Sequence, residues 1–399
     1  MCQSAPTSAL PNSGSPVDAV IYAYGAGSDR RLEIPGEHLP GSIAAAELVT
    51  WYCGHPDVHP DTDQPSIRDY LVASEIDELI RTSRQAVVVG IGNVALDVAR
   101  VLIKTVDELD DTDMADEVLE SLARKHITDV HVLGRRGPAY TAFTTKELRE
   151  MGQLADVDVI IEPADLELDP SSQAVVQQNK VAARNLAVLQ EWAARPLSGA
   201  SRRISFHFWS RPTMIIGNDR VTAVEVERTM INSDGFVVGI GRRPTLPADL
   251  VVRSVGYRGL PLPGIPFDEG TGRVPHAEGR RDSRRRILTR RVRDWLDQAR
   301  PNWGDWHQQV RRRGDGHVSV GRSAQWCGEG ARAIGTSRPA TRAAGGIHAL
   351  GMPAWRRIDA AEVELGATHG RLRTTLAHRR ELLAAANARL TILTRHRRP

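Results

Sequence analysis

The chain has 399 residues, 41% of them hydrophobic and 25% charged, which suits a soluble globular protein of two or three domains. Its net charge of +3 hides an asymmetry: residues 1–275 carry 26 Lys+Arg against 38 Asp+Glu, while residues 276–399 carry 26 against 11, all 26 of them Arg. The scattered Cys2, Cys53 and Cys327, the lack of a membrane-length apolar run and a start unlike a leader argue against a disulfide scaffold or a membrane protein, so a cytoplasmic location is expected.

Residues 1–16, rich in Ser, Pro and Ala without periodicity, read as disordered. Asp18 to Ala26 reads as a buried strand ending in a glycine turn, and a loop with Pro35-Gly36 and Pro40-Gly41 follows. Ile43 to Tyr52 has the pattern of an amphipathic helix. The loop Gly54–Asp61 holds His55, His59 and two Asp, but it is broken by proline and reads as solvated, with no metal expected. Ile67 to Thr82 is a helix or a linker elaboration.

Gln85–Arg100 is the stretch that carries chemistry. Ala86 to Val89 form a short buried strand, Gly90-Ile91-Gly92 turn it, and Asn93 opens a helix in the pattern G-x-G-x-x-A. Gly90 permits the tight turn, and Gly92 lets backbone N–H groups approach a pyrophosphate at the helix N-terminus. Ala95 is small enough for close helix–strand packing. The helix is expected to reach Val106, and after the acidic Asp107–Glu120 another ends near Lys125.

The next strand, Ile127–Gly134, ends in Arg135 and Arg136. A unit of this kind that binds NAD places an acid there for the ribose 2′-OH. Two guanidinium groups suit a 2′-phosphate instead, which predicts NADP(H) over NAD. The alternative is a pair of surface arginines in an ordinary turn. Phe143 to Glu150 begins a helix with Thr144 or Thr145 as cap. Strand-like pieces at 157–161, 204–209, 213–216 and 221–227, a helix at 179–193 and a return strand at 249–254 complete an α/β pattern with a small antiparallel patch.

In this order the motifs resemble ferredoxin–NADP⁺ reductases of the adrenodoxin-reductase type. They are Asp18–Ala26 with Ile34-Pro35-Gly36, Gly90–Arg100, Gly134–Pro138, Phe143–Glu150, and Arg253–Gly259 with Pro266-Phe267-Asp268. The resemblance implies a flavoprotein in which a Rossmann-like NADP-binding domain (36–250) is inserted into an FAD-binding α/β domain, here incomplete and represented by 17–35 and 251–280. It carries NADP(H) binding onto Gly90, Ile91, Gly92, Asn93 and Val94, the 2′-phosphate onto Arg135 and Arg136, and a further cofactor contact onto Glu147. It implies hydride transfer between NADPH and FAD, then single electrons to a ferredoxin partner.

Two departures stand beside the match. No G-x-G-x-x-G for FAD precedes Asp18, and an Arg- and Trp-rich stretch replaces the flavin motif expected after about Arg280. Codons permitted for Arg291–Gln309, read one nucleotide later, encode Gly-Trp-Ile-Lys-Arg-Gly-Pro-Thr-Gly-Val-Ile-Gly-Thr-Asn. The single-codon Trp295, Trp303 and Trp306 force three of its glycines. Residues 281–353 are therefore expected to be a frameshifted translation, with family-like sequence again at 354–383 and a basic tail at 384–399. This predicts a reductase impaired or silent in this chain, or an NADP(H)-binding remnant. A nucleic-acid-binding arm built on the arginine runs is the weaker alternative, since the frameshift accounts for the composition. Asp97 is expected to pack within its helix, Glu150 to lie near the nicotinamide or to be exposed, Tyr22, Tyr24 and Trp51 to be core or interface aromatics, and Cys53 to be inert.

Overall fold

The computed structural model describes residues 25–59, 67–263, 265–277, 280–281 and 350–388. Most of the expected strand at Asp18–Ala26, the start of the chain, the stretch 282–349 and the tail beyond 388 lie outside the described residues.

Six parallel strands, numbered in chain order, make the central sheet. Their spatial order is β2 (Ser42–Ala44), β11 (Leu250–Arg253), β3 (Gln85–Val89), β4 (Asp129–Leu133), β6 (Arg202–His207) and β5 (Val157–Ile161). The run Ala86–Val89 is apolar without alternation because both faces of the sheet are covered. On one face Ala86, Val88, Val130, Val132, Ile204 and Phe206 meet residues of helices α1 (Ala45–Tyr52), α2 (Ile67–Thr82), α3 (Asn93–Ile103), α4 (Asp116–Ala123), α5 (Thr145–Met151) and α7 (Lys180–Ala193). On the other face Val87, Val89, Leu133 and Val251 pack on Ile215, Val224 and Val226. Those three come from an antiparallel sheet of β7 (Ser210–Ile216), β8 (Ala223–Ile231), β9 (Val237–Gly239) and β10 (Thr245–Pro247). The result is three layers: helices, parallel sheet, antiparallel sheet.

The chain on either side of the parallel sheet meets itself. β1 (Ser28–Asp29) pairs antiparallel with β12 (Tyr257–Arg258). At the far end, α8 (Met352–Thr368) and α9 (Arg379–Asn387) pack together, and the C-terminal segment docks on the first turn of α4 and the residues just before it. There the Arg371 guanidinium donates to Asp116 and to the Met114 carbonyl (2.8 Å), the Thr375 N–H donates to the Asp113 carbonyl (3.0 Å), and His378 lies 3.1 Å from Glu117.

Several boundaries differ from the pattern in the sequence. Ile43 begins in a strand rather than a helix, because Ser42–Ala44 is a short edge strand whose buried residues continue directly into α1. The helix of the glycine turn stops at Ile103, not Val106. An extra helix, α6 (Pro170–Gln178), precedes α7, started by Asp169, which accepts the N–H groups of Ser171 and Ser172. The loop after α1 is not simply solvated: His59 is buried, 2.8 Å from both Glu117 and the Trp51 carbonyl.

Candidate functional site

A cleft of about 980 Å³ opens beyond the carboxyl ends of β11, β3 and β4, the place where open parallel sheets take ligands. Gly90, Ile91, Gly92, Asn93 and Val94 form its floor, and Gly134, Arg135 and Arg136 form one wall. Asp29 to Pro35, Ser254 to Tyr257 and Arg211 to Thr213 supply the others. Seven of the eight residues singled out from sequence therefore face one space.

Gly90 has φ +138°, and a Cβ there would lie 2.1 Å from the Ser254 carbonyl oxygen, so β3 can turn beside β11 only at a glycine. Gly92 has ordinary φ and is a glycine for a different reason. A Cβ added to it meets no protein atom within 4 Å; it would project into open space on the cleft floor. Gly92 is also the N-cap of α3, with no side-chain cap and no acidic residue in the first turn. The positive end of α3 thus faces the cleft without an internal anion. Asn93 is held by the Thr144 N–H, which donates to its Oδ1 at 2.8 Å, and the Ala142 N–H donates to the Ile91 carbonyl at 2.9 Å.

The turn after β4 is fixed by its backbone. The Gly134 N–H donates to the His207 carbonyl (2.9 Å), and the Ser210 N–H donates to the Gly134 carbonyl (2.8 Å). Thr229 Oγ1 donates to the Arg135 carbonyl (2.9 Å), and the Trp209 N–H to that of Arg136 (3.3 Å). The side chains themselves are exposed, and among the described residues no carboxylate pairs with either arginine. Arg136 lies over the Tyr140 ring, 5.3 Å from its centroid. Arg211, also on the cleft, is different: it is engaged by Glu227 at 2.6 Å.

Glu147 is the eighth residue and does not line the cleft. It is buried on α5, 3.4 Å from Arg100, which also pairs with Glu150 and Asp97. Burial raises the Glu147 carboxyl above its ordinary range, with Glu150 and Asp97 adding and Arg100 opposing. Asp97 also accepts the Tyr52 hydroxyl at 2.7 Å, so this cluster joins α1, α3 and α5 beneath the glycine turn. Trp51 is core. Cys53 is exposed with its thiol unpaired, whereas Tyr22 and Tyr24 lie outside the described residues.

Sequence reasoning missed Asp29 and Tyr257, which β1 and β12 bring to the cleft. Asp29 accepts the Ala46 N–H at the start of α1 (3.0 Å), and burial raises its carboxyl. Burial, reinforced by Asp29 and Asp97, pushes the Tyr257 phenol up to about 12, so it stays a hydroxyl. No local signal marks this pair, because β1 and β12 are two residues each and more than 200 positions apart. Tyr140 could have been found: it follows Arg136 by four positions across a Gly-Pro turn.

This geometry has known relatives. The chain is 46% identical over 269 residues to the NADPH-ferredoxin reductase FprA of Mycobacterium tuberculosis, covering 66% of this chain and 55% of the relative. It is 35% identical over 273 residues to the mitochondrial NADPH:adrenodoxin oxidoreductase of Arabidopsis thaliana, covering 65% and 53%. The solved structure of Mycobacterium tuberculosis FprA in complex with NADPH matches with a TM-score of 0.68 at 34% identity, over 93% of this chain and 79% of that one. The chain belongs to the ferredoxin–NADP reductase family of the adrenodoxin-reductase type. No family model matches it. It spans about half the length of the curated relatives it matches. Among its described residues, no helix is long and apolar enough to cross a membrane.

Proposed function

We propose that this chain binds NADP(H) in the cleft over β3 and β4, as the nicotinamide-nucleotide lobe of a ferredoxin–NADP reductase. The observation that carries the reading is the pairing on one cleft of an uncapped helix N-terminus, with no acid in its first turn, and two arginines that no carboxylate among the described residues engages. The open space at the Cβ position of Gly92 fits a diphosphate lying against the α3 N-terminus. Arg135 and Arg136 fit a 2′-phosphate through charge-assisted hydrogen bonds, and their turn is rigid before any ligand arrives. Tyr257 remains a donor at neutral pH and also lines the cleft. When bound, the nicotinamide supplies hydride chemistry, with flavin the acceptor in this family and a ferredoxin the partner.

For FAD the residues fit less well. The walls at 29–35 and 254–257 are present, but the sequence of 281–353 holds no flavin motif in frame. The reading is therefore NADP(H) binding with flavin reduction, and electron delivery to ferredoxin, impaired in this chain. The frameshift remains the account offered for 281–353, and the gene's codons there test it. The functional test is the absorbance spectrum of the purified chain together with an NADPH fluorescence titration. Saturable micromolar NADPH binding without flavin absorbance is expected. A yellow protein that reduces ferricyanide with NADPH contradicts the impairment, and no NADPH binding contradicts the reading as a whole.

A further inference from the structure

We infer that Tyr140 strengthens this site's preference for a 2′-phosphorylated nucleotide, acting as a positioning residue for Arg136; the inference rests on the NADP(H) reading above. A guanidinium carries all its N–H donors in its plane and none on its faces. A carboxylate partner would occupy those donors, as Glu227 does for Arg211. An aromatic ring engages the guanidinium through its electron-rich face and leaves the edge available. Arg136 is held in this second way, 5.3 Å from the centroid of the Tyr140 ring, with no carboxylate paired to it among the described residues.

The ring is itself held in place. Its backbone belongs to a 3-10 turn in which the Tyr140 N–H donates to the Gly137 carbonyl at 3.1 Å. Its half-buried face packs on the rim of the core, and its hydroxyl lies 3.2 Å from Ser171 Oγ. Ser171 in turn donates to Asp169, the N-cap of α6. The chain Asp169–Ser171–Tyr140–Arg136 therefore fixes a flexible cation at the cleft wall without spending the donors that a phosphate needs. Side-chain entropy that an unsupported arginine would lose on binding is lost already in the folded protein.

The test compares adenosine 2′,5′-bisphosphate with adenosine 5′-monophosphate by calorimetry on the full chain. Tyr140→Leu and Tyr140→Gln, the latter a polar side chain suited to a half-exposed position, should each weaken the bisphosphate about two- to five-fold and leave the monophosphate unchanged. Tyr140→Phe, which keeps the ring and loses only the hydroxyl contact with Ser171, should retain most of the wild-type ratio. In the Arg136→Ala background, Tyr140→Leu should cost nothing further, because the ring acts through the guanidinium. The inference is overturned by equal losses for both nucleotides, which would place the ring against the base, by additive losses in the double variant, by Tyr140→Phe behaving like Tyr140→Leu, or by Leu and Gln variants that keep the ratio. Failure of the wild-type chain to bind either nucleotide would instead remove the NADP(H) reading on which the inference rests.

Discussion

Two sets of arginines in this molecule have opposite fates. Arg371, Arg373 and Arg379, in the C-terminal segment, are taken up by Asp116, by Asp359 and Glu362, and by Asp57. Arg135 and Arg136, at the cleft, each have a backbone carbonyl tied down, by Thr229 and by Trp209, while no carboxylate among the described residues meets their side chains. The first set closes the structure on itself. The second holds positive charge in readiness for an anion from outside. An arginine's role is thus read from where its donors go, and the same residue type closes the fold in one place and, on the proposed reading, recognises a ligand in the other.

Substitutions can break this contrast. Arg135→Ala with Arg136→Ala should show the largest effect: NADPH affinity falls about 100-fold or more, from two charged hydrogen-bonding groups of roughly 1.5–3 kcal/mol each, with NADH affinity nearly unchanged. Urea midpoints should not move, because neither side chain pairs with a carboxylate among the described residues. Arg371→Ala should do the reverse. Its side chain is only 5% exposed and bridges to Asp116 and Met114, so chemical denaturation should register a loss of about 1–3 kcal/mol. NADPH affinity of the folded variant should stay as it was.

The two glycines of the turn sharpen the same distinction. Gly90→Ala puts a Cβ 2.1 Å from the Ser254 carbonyl at φ +138°, so it should unfold readily or express poorly. Gly92→Ala meets no protein atom, so its denaturation midpoint should match the wild type within about 0.5 kcal/mol while NADPH binding weakens. A Gly92→Ala chain that binds NADPH normally would mean the diphosphate does not lie there.

A further contrast is a pH dependence of the folded core. His207 and His131 face each other at 3.0 Å on β6 and β4, and burial followed by the neighbouring His131 lowers the His207 imidazole to about 4. The unfolded chain binds that proton near the ordinary pKa of about 6.5, so acid favours unfolding. Stability should therefore be full above about pH 6.5 and decline as pH falls towards 4. Urea midpoints across that range measure it, and His207→Gln should flatten the slope.

Much of this was legible in the sequence because it rests on local pattern. Ala86–Val89 is a continuous apolar run followed by two glycines at fixed spacing, and Arg135-Arg136 closely follow the end of a strand. A threonine cap at Thr144 or Thr145 was legible from residue type, and the structure chooses Thr144, whose hydroxyl accepts the Glu147 N–H. What escaped depended on distant partners. Ser42–Ala44 becomes a strand only because Leu250–Arg253 lies beside it, and β1 forms only against β12. His59 reads as a loop residue until Glu117 and the C-terminal segment close over it. Glu147 stands in a cofactor-like motif, yet Arg100 draws it below the cleft instead of into it.

The central claim is that the open arginines at the cleft recognise a 2′-phosphate. The most direct measurement is the affinity of the purified full chain for NADPH against NADH, two ligands that differ only in that group. The account predicts NADPH at least tenfold tighter, with the difference shrinking as salt is raised. Equal affinities, or a preference for NADH, would contradict it.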